Sequence, residues 1–151
     1  MNRAVLSMTQ FEQATILESF LKTAPTQPDP GVDVAAELVL NVETTPMVSV
    51  QDDVDSQWSK HLILHVEVTL HDSGESAFEL MRARIVLSGG ATSPDYAETS
   101  FEELDRHLSA NVVSMLYGVA RTYLELLTSM SPVQRLTLPA IDPYAVVDSQ
   151  E

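Results

Sequence analysis

Apolar and polar residues alternate over two stretches in the first half of the chain. In the longer stretch every second residue is apolar, namely Leu62, Leu64, Val66, Val68 and Leu70. Residues 37–45 alternate in the same way, with Leu38, Leu40 and Val42 on one side. Because successive side chains of a strand point to opposite faces of a sheet, both stretches predict strands with one buried face.

Short polar segments separate these strands from other apolar runs. Residues 72–74 form a polar turn before the run 77–87, and this order predicts an antiparallel hairpin. Residues 14–21 mix β-branched and apolar side chains and predict a first strand. The glycine-containing stretch 89–94 predicts a loop after the last strand. We therefore expect about four antiparallel strands, which need a covering layer on one face only.

The second half of the chain has the period of a helix. Ser100 and Glu103 have the spacing of a capping box, which begins a helix. Apolar residues then recur at every third or fourth position, and the pattern ends before Pro132. Together these residues form an apolar stripe along one side of the helix. Further apolar side chains such as Met115 make this stripe wider than the side that faces the core. Because such a surplus on a small domain is typical of a subunit contact, we expect an oligomer.

The C-terminal part is interrupted by prolines. Residues 136–147 include Pro139 and Pro143, so they predict an extended arm over the domain with room for one final turn of helix. A length of 151 residues predicts a single α+β domain over residues 1–151. Within it, residues 1–12 and 142–151 are expected to be loosely ordered.

Charge and composition narrow the range of partners. Apolar residues make up 44% of the chain and charged residues 20%, which is typical of a globular protein. With 8 basic and 22 acidic residues the net charge is −14, so the surface repels nucleic-acid phosphates and anionic lipids. Basic polypeptides or cations are the favoured partners, unless the acidity serves solubility alone.

The chain contains no cysteine, which excludes disulfides and thiolate chemistry. Its N-terminus lacks the pattern of a secretory signal, and no apolar stretch approaches the roughly 20 residues that span a bilayer. We therefore expect a cytoplasmic protein without membrane insertion.

Candidate chemistry is sparse. His65 and Glu67 share one face of the predicted strand, with His61 nearby, and could offer metal ligands beside Asp53 or Asp55. Polar positions alternate on any half-buried strand, however, and these residues lack a recognisable ligand spacing. The sequence predicts no catalytic residue and no cofactor; a small metal- or ligand-binding α+β protein remains an alternative.

Several segments, taken in order, resemble the SecB family of protein-export chaperones. The resemblance covers roughly residues 35–143 and is carried by a strand at 37–44 and by the segments 62–88 and 108–141. Shared features within them are the pairs Ala77-Phe78 and Ala120-Arg121 and the Leu-x-Leu-Pro arm at 136–139. The chain departs from the family at Gly118-Val119, where Pro-Tyr is usual.

The resemblance implies a four-stranded antiparallel sheet with helices on one face, assembled as a homotetramer, a dimer of dimers. It implies a chaperone without enzymatic activity that holds unfolded preproteins in apolar grooves for export. The implied client contacts are Leu38, Leu40, Val42, Phe78, Leu136 and Leu138. The oligomer interface expected from the broad apolar stripe of the helix comprises Val112, Met115, Leu116, Val119, Tyr123 and Leu126.

The resemblance also implies docking of the export motor SecA on the outer face of the sheet. Glu79 and Met81 occupy the matching positions, but their order is the reverse of the leucine and glutamate found in the family. Divergent SecB-like chaperones occur beside toxin–antitoxin modules, where they protect an antitoxin. A dedicated antitoxin chaperone is therefore the alternative within the same fold.

Overall fold

The computed structural model describes residues 10–24, 33–51, 56–72, 78–94, 99–131 and 135–150. The strands are β1 (Gln10–Phe11), β2 (Thr15–Thr23), β3 (Val34–Thr44), β4 (Val48–Gln51), β5 (Ser56–Asp72) and β6 (Glu79–Pro94). The helices are α1 (Phe101–Thr128) and α2 (Pro143–Asp148). This is the predicted α+β class, an antiparallel sheet with helices on one face.

The long strands β5 and β6 form the centre of the sheet. They pair antiparallel, as the predicted hairpin requires. Of the turn predicted at 72–74, Asp72 is the last residue of β5, and the other two residues lie outside the described ranges. Both β1 and β2 pair with the other side of β6, whereas β3 and β4 pair with the other side of β5. In the sheet, β1 and β2 therefore share one position and β3 and β4 share another. The six strands occupy four positions, in agreement with the predicted sheet of about four strands.

The core lies between this sheet and α1. The alternating residues of β5 face the helix, and Leu64 and Val66 are fully buried there. On β6 the residues paired with them, Leu87 and Ile85, are equally buried. Leu116 of α1 belongs to the same cluster. Apolar burial of this kind is the main favourable term in folding.

The predicted loop at 89–94 is wrong, because β6 continues through these residues to Pro94. The stretch pairs with β5 on one side and partly with β1 on the other, and this pairing outweighs the local turn preference of glycine. Gly89 has a packing role: a Cβ there would lie 2.8 Å from Leu116 Cδ2. Its missing side chain lets α1 approach the sheet closely.

Both ends of α1 agree with the prediction. Ser100 is the N-cap, and its Oγ accepts a hydrogen bond of 3.2 Å from the amide of Glu103. The helix runs through Gly118 without interruption and ends at Thr128. None of the helices in the described residues combines the length and apolarity that crossing a bilayer requires.

The C-terminal arm runs back along α1. Leu136 donates its amide hydrogen to Thr128 Oγ1 at 2.8 Å, and the Tyr117 hydroxyl donates to the carbonyl of Pro139 at 2.6 Å. Burial raises the pKa of Tyr117, which keeps its hydroxyl protonated as a donor. The arm is therefore fixed to the helix at two points, as the sequence predicts.

A short helix lies near the end of the chain, where the sequence predicts an arm with room for one final turn of helix. This helix, α2, has Asp142 as its N-cap. The Arg106 guanidinium binds both carboxylate oxygens of Asp148 at 2.9 Å and lies 4.8 Å from the ring centre of Tyr144. Contacts from α1 therefore hold a helix too short to be stable alone.

Candidate peptide-binding surface

One edge of the sheet is formed by β3. It pairs with β5 from Val34 to Thr44, and no described strand pairs with its other side. The amide of Val42 points to that open side, because it donates to Gln150 Oε1 at 3.3 Å. Amide directions alternate along an antiparallel strand, so those of Leu38 and Leu40 also point outward. Within the described part of the chain, this edge offers backbone groups that no strand pairs, beside two half-buried leucines.

The predicted client contacts fall into two groups. Leu38 and Leu40 are half-buried at the β3 edge, and Phe78, just before β6, is 55% exposed. The other three, Val42, Leu136 and Leu138, are buried in the hydrophobic core of the chain itself. Leu38 and Leu40 lie at this edge, whereas Phe78 lies across β5 from it, with its carbonyl accepting a hydrogen bond from the Asp72 amide.

A second apolar surface lies between β2 and the near side of α1. This groove, which we call the α1 groove, has a volume of about 550 Å³ and is lined by Ile16, Met115, Gly118, Val119, Thr122, Tyr123 and Leu126. Leu126 is 68% exposed, and no atom lies within 4 Å of the position that a Cβ of Gly118 would take. The groove is therefore open and wide enough for another chain to approach closely.

The predicted interface residues divide between this groove and the core. Met115, Val119, Tyr123 and Leu126 line the α1 groove. Val112 and Leu116 are fully buried against the sheet of their own chain. The helical period alone cannot distinguish the groove residues from the core residues, because both fall within one apolar stripe that is wider than a single face of α1.

The outer face of the sheet carries the predicted motor-docking position Glu79. Its carboxylate binds Arg82 Nε at 2.7 Å, and Lys22 and Arg84 line the same shallow pocket. Met81 points the opposite way and is only 1% exposed beneath α1. Of the two predicted positions, Glu79 alone lies on the outer face.

The histidines considered as metal ligands pair with carboxylates from neighbouring segments. His61 Nε2 lies 3.0 Å from Glu12, and His65 Nε2 lies 2.9 Å from Glu43. Across the described ranges, no three histidine or acidic side chains come together as potential ligands of a metal ion. Asp53 and Asp55 lie outside those ranges.

The sequence did not single out the exposed apolar residues of β2. Ile16, Leu17 and Phe20 are all exposed on this strand, which pairs only with β6 among the described strands. Residues 14–21 predict a strand, but which strands form the sheet edges depends on long-range pairing. A signal was present in the apolar content of residues 16–20.

Comparison with solved structures identifies the fold. A SecB-like chaperone from Mycobacterium tuberculosis, solved in complex with a ChAD peptide from the HigA1 antitoxin, superimposes with a TM-score of 0.59. The two are 13% identical, and the match covers 90% of this chain and 92% of that one. The fold is SecB-like. The fold implied by the sequence resemblance is thus confirmed.

A protein of unknown function from Streptococcus agalactiae is also similar, with a TM-score of 0.44 and 11% identity over 87% of this chain and 97% of that one. No family model matches the sequence, and no curated protein matches it.

Proposed function

We propose that this chain is a molecular chaperone that holds unfolded or non-native polypeptides without an enzymatic step. The observation that carries the proposal is the open β3 edge, where outward-facing backbone groups lie beside Leu38 and Leu40. The SecB-like fold supports the same function.

An extended client would bind by strand addition at this edge. Hydrogen bonds between backbones require no particular sequence, and alternate client side chains would lie against Leu38 and Leu40. On the opposite face, Val39 is exposed and offers a second apolar contact. Many weak contacts of this type favour binding of many different polypeptides over selection of one.

Electrostatics favours clients with basic segments. Glu37 and Glu43 are exposed on β3, on either side of the leucines, and the whole chain carries a charge of −14. Complementary charge accelerates encounter more than it tightens the final complex. Basic residues flanking an apolar centre would therefore suit this edge.

A denatured model protein that refolds slowly provides the test. We expect the chaperone to suppress light scattering by this client and to co-elute with it. Leu40→Lys should abolish suppression, because it places a charge where client side chains pack. Met130→Lys is the matched control, since Met130 is exposed just after the end of α1 and does not belong to β3. Equal suppression by both variants would contradict client binding at β3.

A second candidate is a chaperone dedicated to one antitoxin. The fold match to a SecB-like chaperone solved with an antitoxin peptide favours it. A dedicated chaperone would leave unrelated denatured proteins to aggregate while remaining folded and oligomeric. Suppression across a panel of unrelated clients would decide for the general holdase.

Delivery of clients to SecA is the export form of the proposal. It relies on Glu79, which already binds Arg82 at 2.7 Å and stands beside two further cations. We expect calorimetry to detect at most weak SecA binding, and Glu79→Gln to remove it. Tight binding that survives Glu79→Gln would show that the motor docks elsewhere.

We also propose that the working form is a cytoplasmic homotetramer built as a dimer of dimers. The α1 groove supports assembly, because Met115, Val119 and Leu126 present apolar surface that water would otherwise cover. Light scattering coupled to chromatography should give four times the mass of one chain. Leu126→Asp should reduce this mass, whereas a mass unchanged by the substitution would place the contact elsewhere.

A further inference from the structure

Three basic side chains gather on the outer face of the sheet, the face turned away from α1. Lys22 of β2 and Arg82 and Arg84 of β6, which we call the basic cluster, line one shallow pocket of about 350 Å³. The pocket holds three of the chain's eight basic residues but only three of its 22 acidic residues. We propose that the basic cluster docks an extended acidic segment of another protein through two carboxylates placed two residues apart.

The register of β2 with β6 brings like charges together. Lys22 stands directly opposite Arg82, and Phe20 stands directly opposite Arg84. Like charges in opposite positions destabilise a sheet, and Glu79, which binds Arg82 Nε at 2.7 Å, offsets only one of the two. A carboxylate between Lys22 and Arg82 would bind both cations and remove their repulsion. This pair therefore weakens the sheet by itself and is satisfied by an anion that a partner supplies.

Most hydrogen-bond donors of the basic cluster are unused within the described ranges. Glu79 accepts from Nε of Arg82 and leaves both of its Nη groups. Arg84 Nη1 lies 3.9 Å from Glu18 Oε1, too far for a hydrogen bond. Lys22 makes no ion pair with any described residue. Because a guanidinium presents a fixed fork of donors that matches a carboxylate, the cluster can bind two carboxylates without breaking a hydrogen bond of its own chain.

The spacing of the cluster sets the spacing of the partner's carboxylates. Residues two apart on a strand, such as Lys22 and Phe20 of β2, are separated by roughly 6.8 Å. Residues i and i+2 of an extended peptide have the same separation and point to the same side. A glutamate over Lys22 and Arg82 therefore places a second glutamate, two residues on, beside Arg84. The methylene stem of the second glutamate would lie over the ring of Phe20, which is 45% exposed.

The acidic residues around the cluster select against a uniform polyanion. Glu18 and Glu67 line the same pocket as the basic cluster. A nucleic acid carries a charge on every phosphate, so it would bring negative charges against both glutamates and against the net charge of −14. A peptide in which carboxylates alternate with uncharged side chains avoids this repulsion. The charges of the pocket therefore match an acidic peptide better than a nucleic acid.

Fluorescence anisotropy with labelled peptides tests both the charge and the spacing. The probe is a threonine-rich peptide with two glutamates separated by one threonine. One control peptide has glutamine in place of both glutamates. A second control has the two glutamates side by side, so that they point to opposite sides of an extended chain. We expect the full chain to bind the probe about tenfold more tightly than either control, and equal binding of the probe and either control would overturn the proposal.

Matched charge variants locate the site on the outer face. Arg84→Gln should weaken binding of the probe about tenfold, because it removes the guanidinium that receives one carboxylate. Arg121→Gln is the control, since Arg121 is exposed on α1 and its loss changes the net charge equally. Glu67→Gln should tighten binding about threefold, because it removes a like charge from the pocket. Equal losses in Arg84→Gln and Arg121→Gln would overturn the site.

Further measurements separate this site from other occupants and from the proposed function. If Arg84→Gln fails to fold, as judged by circular dichroism, the peptide series decides, since it uses the parent protein. A single-stranded oligonucleotide that binds more tightly than the probe would overturn the choice of an acidic peptide. Saturating probe should leave suppression of client aggregation unchanged, because β3 lies across β5 from the cluster, and competition with clients would reject the outer-face site. A protein that binds the probe but does not suppress aggregation keeps the site and rejects the holdase function.

Discussion

Lys60 is a cation buried beneath the first turn of α1. Its side chain is 3% exposed, and Nζ lies 2.8 Å from Asp105 Oδ1 and donates to the carbonyl of Thr45 at 2.7 Å. The Asp105 side chain keeps 35% of its surface exposed. The two partners therefore differ: Asp105 keeps part of its side chain in water although its Oδ1 is buried, whereas Lys60 is almost wholly buried.

This asymmetry predicts unequal losses of stability. Asp105→Asn leaves a buried ammonium without its counter-charge, so the free energy of unfolding should fall by about 3 kcal/mol. Lys60→Met keeps the side-chain volume and leaves a carboxylate that water can reach, so the loss should be about 1 kcal/mol. Urea unfolding of both variants provides the measurement, with Glu102→Gln in the same helical turn as the control. A larger loss for Lys60→Met would contradict this account.

The contact between Arg106 and Asp148 makes the docking of α2 sensitive to pH. The hydrogen bond from Arg106 lowers the pKa of Asp148 below its ordinary value of 3.8. A lowered pKa in the folded state means that the contact is complete above pH 4 and is lost as the pH falls through the folded value. NMR signals of Ala145 and Val146 should therefore stay constant from pH 7 to about 4 and shift below it.

Asp148→Asn isolates this contact from the other carboxylates that titrate in the same range. At pH 7 the variant should already show the chemical shifts that the parent protein shows only below about pH 4. Any pH dependence that the variant keeps comes from other titrating groups of the chain. Signals that move equally in both proteins would show that Asp148 does not control the docking of α2.

At the scale of elements, two glycines have opposite roles. Gly118 is exposed on α1, and a Cβ at this position would meet no atom within 4 Å, so Gly118→Ala should stabilise the helix by about 0.5–1 kcal/mol. A Cβ at Gly89 would lie only 2.8 Å from Leu116 Cδ2, so Gly89→Ala should destabilise the fold by about 1–3 kcal/mol. Thermal unfolding at low protein concentration would measure both, and a stabilising Gly89→Ala would show that the helix packs less closely there.

Local pattern predicts some of these elements and not others. Alternation located β3 and β5, and the capping residue Ser100 located the start of α1, because these signals lie within the element itself. The extension of β6 past Gly89 depends on β1 and β5, and α2 depends on Arg106. The sequence of residues 89–94 or 143–148 contains no trace of those distant partners.

On the candidate surfaces too, some features could be predicted from local sequence and others could not. Leu38 and Leu40 were predicted as client contacts, and the structure places them at an open edge. The β2 edge was not predicted, since its freedom follows from the order of strands in the sheet. Val112 and Leu116 could not be separated from Met115 by helical period, because burial depends on where the sheet lies against α1.

At the scale of the whole molecule, the two edges of the sheet differ in charge. The β2 edge carries one acidic and one basic residue, Glu18 and Lys22, whereas β3 carries two acidic residues, Glu37 and Glu43. The acidic β3 edge therefore suits the basic client proposed above.

The charge of −14 predicts that the proposed capture of clients depends on salt. For an unfolded client of positive net charge, the association rate constant should fall about tenfold between 20 and 300 mM salt, because screening shortens the Debye length from about 20 to about 6 Å. The dissociation rate constant should change little, since apolar and backbone contacts hold the complex. Stopped-flow fluorescence with two denatured clients of equal length and opposite charge measures both constants. An equal salt dependence for the acidic client would show that the acidity serves solubility, and client recognition would then rest on the β3 edge alone.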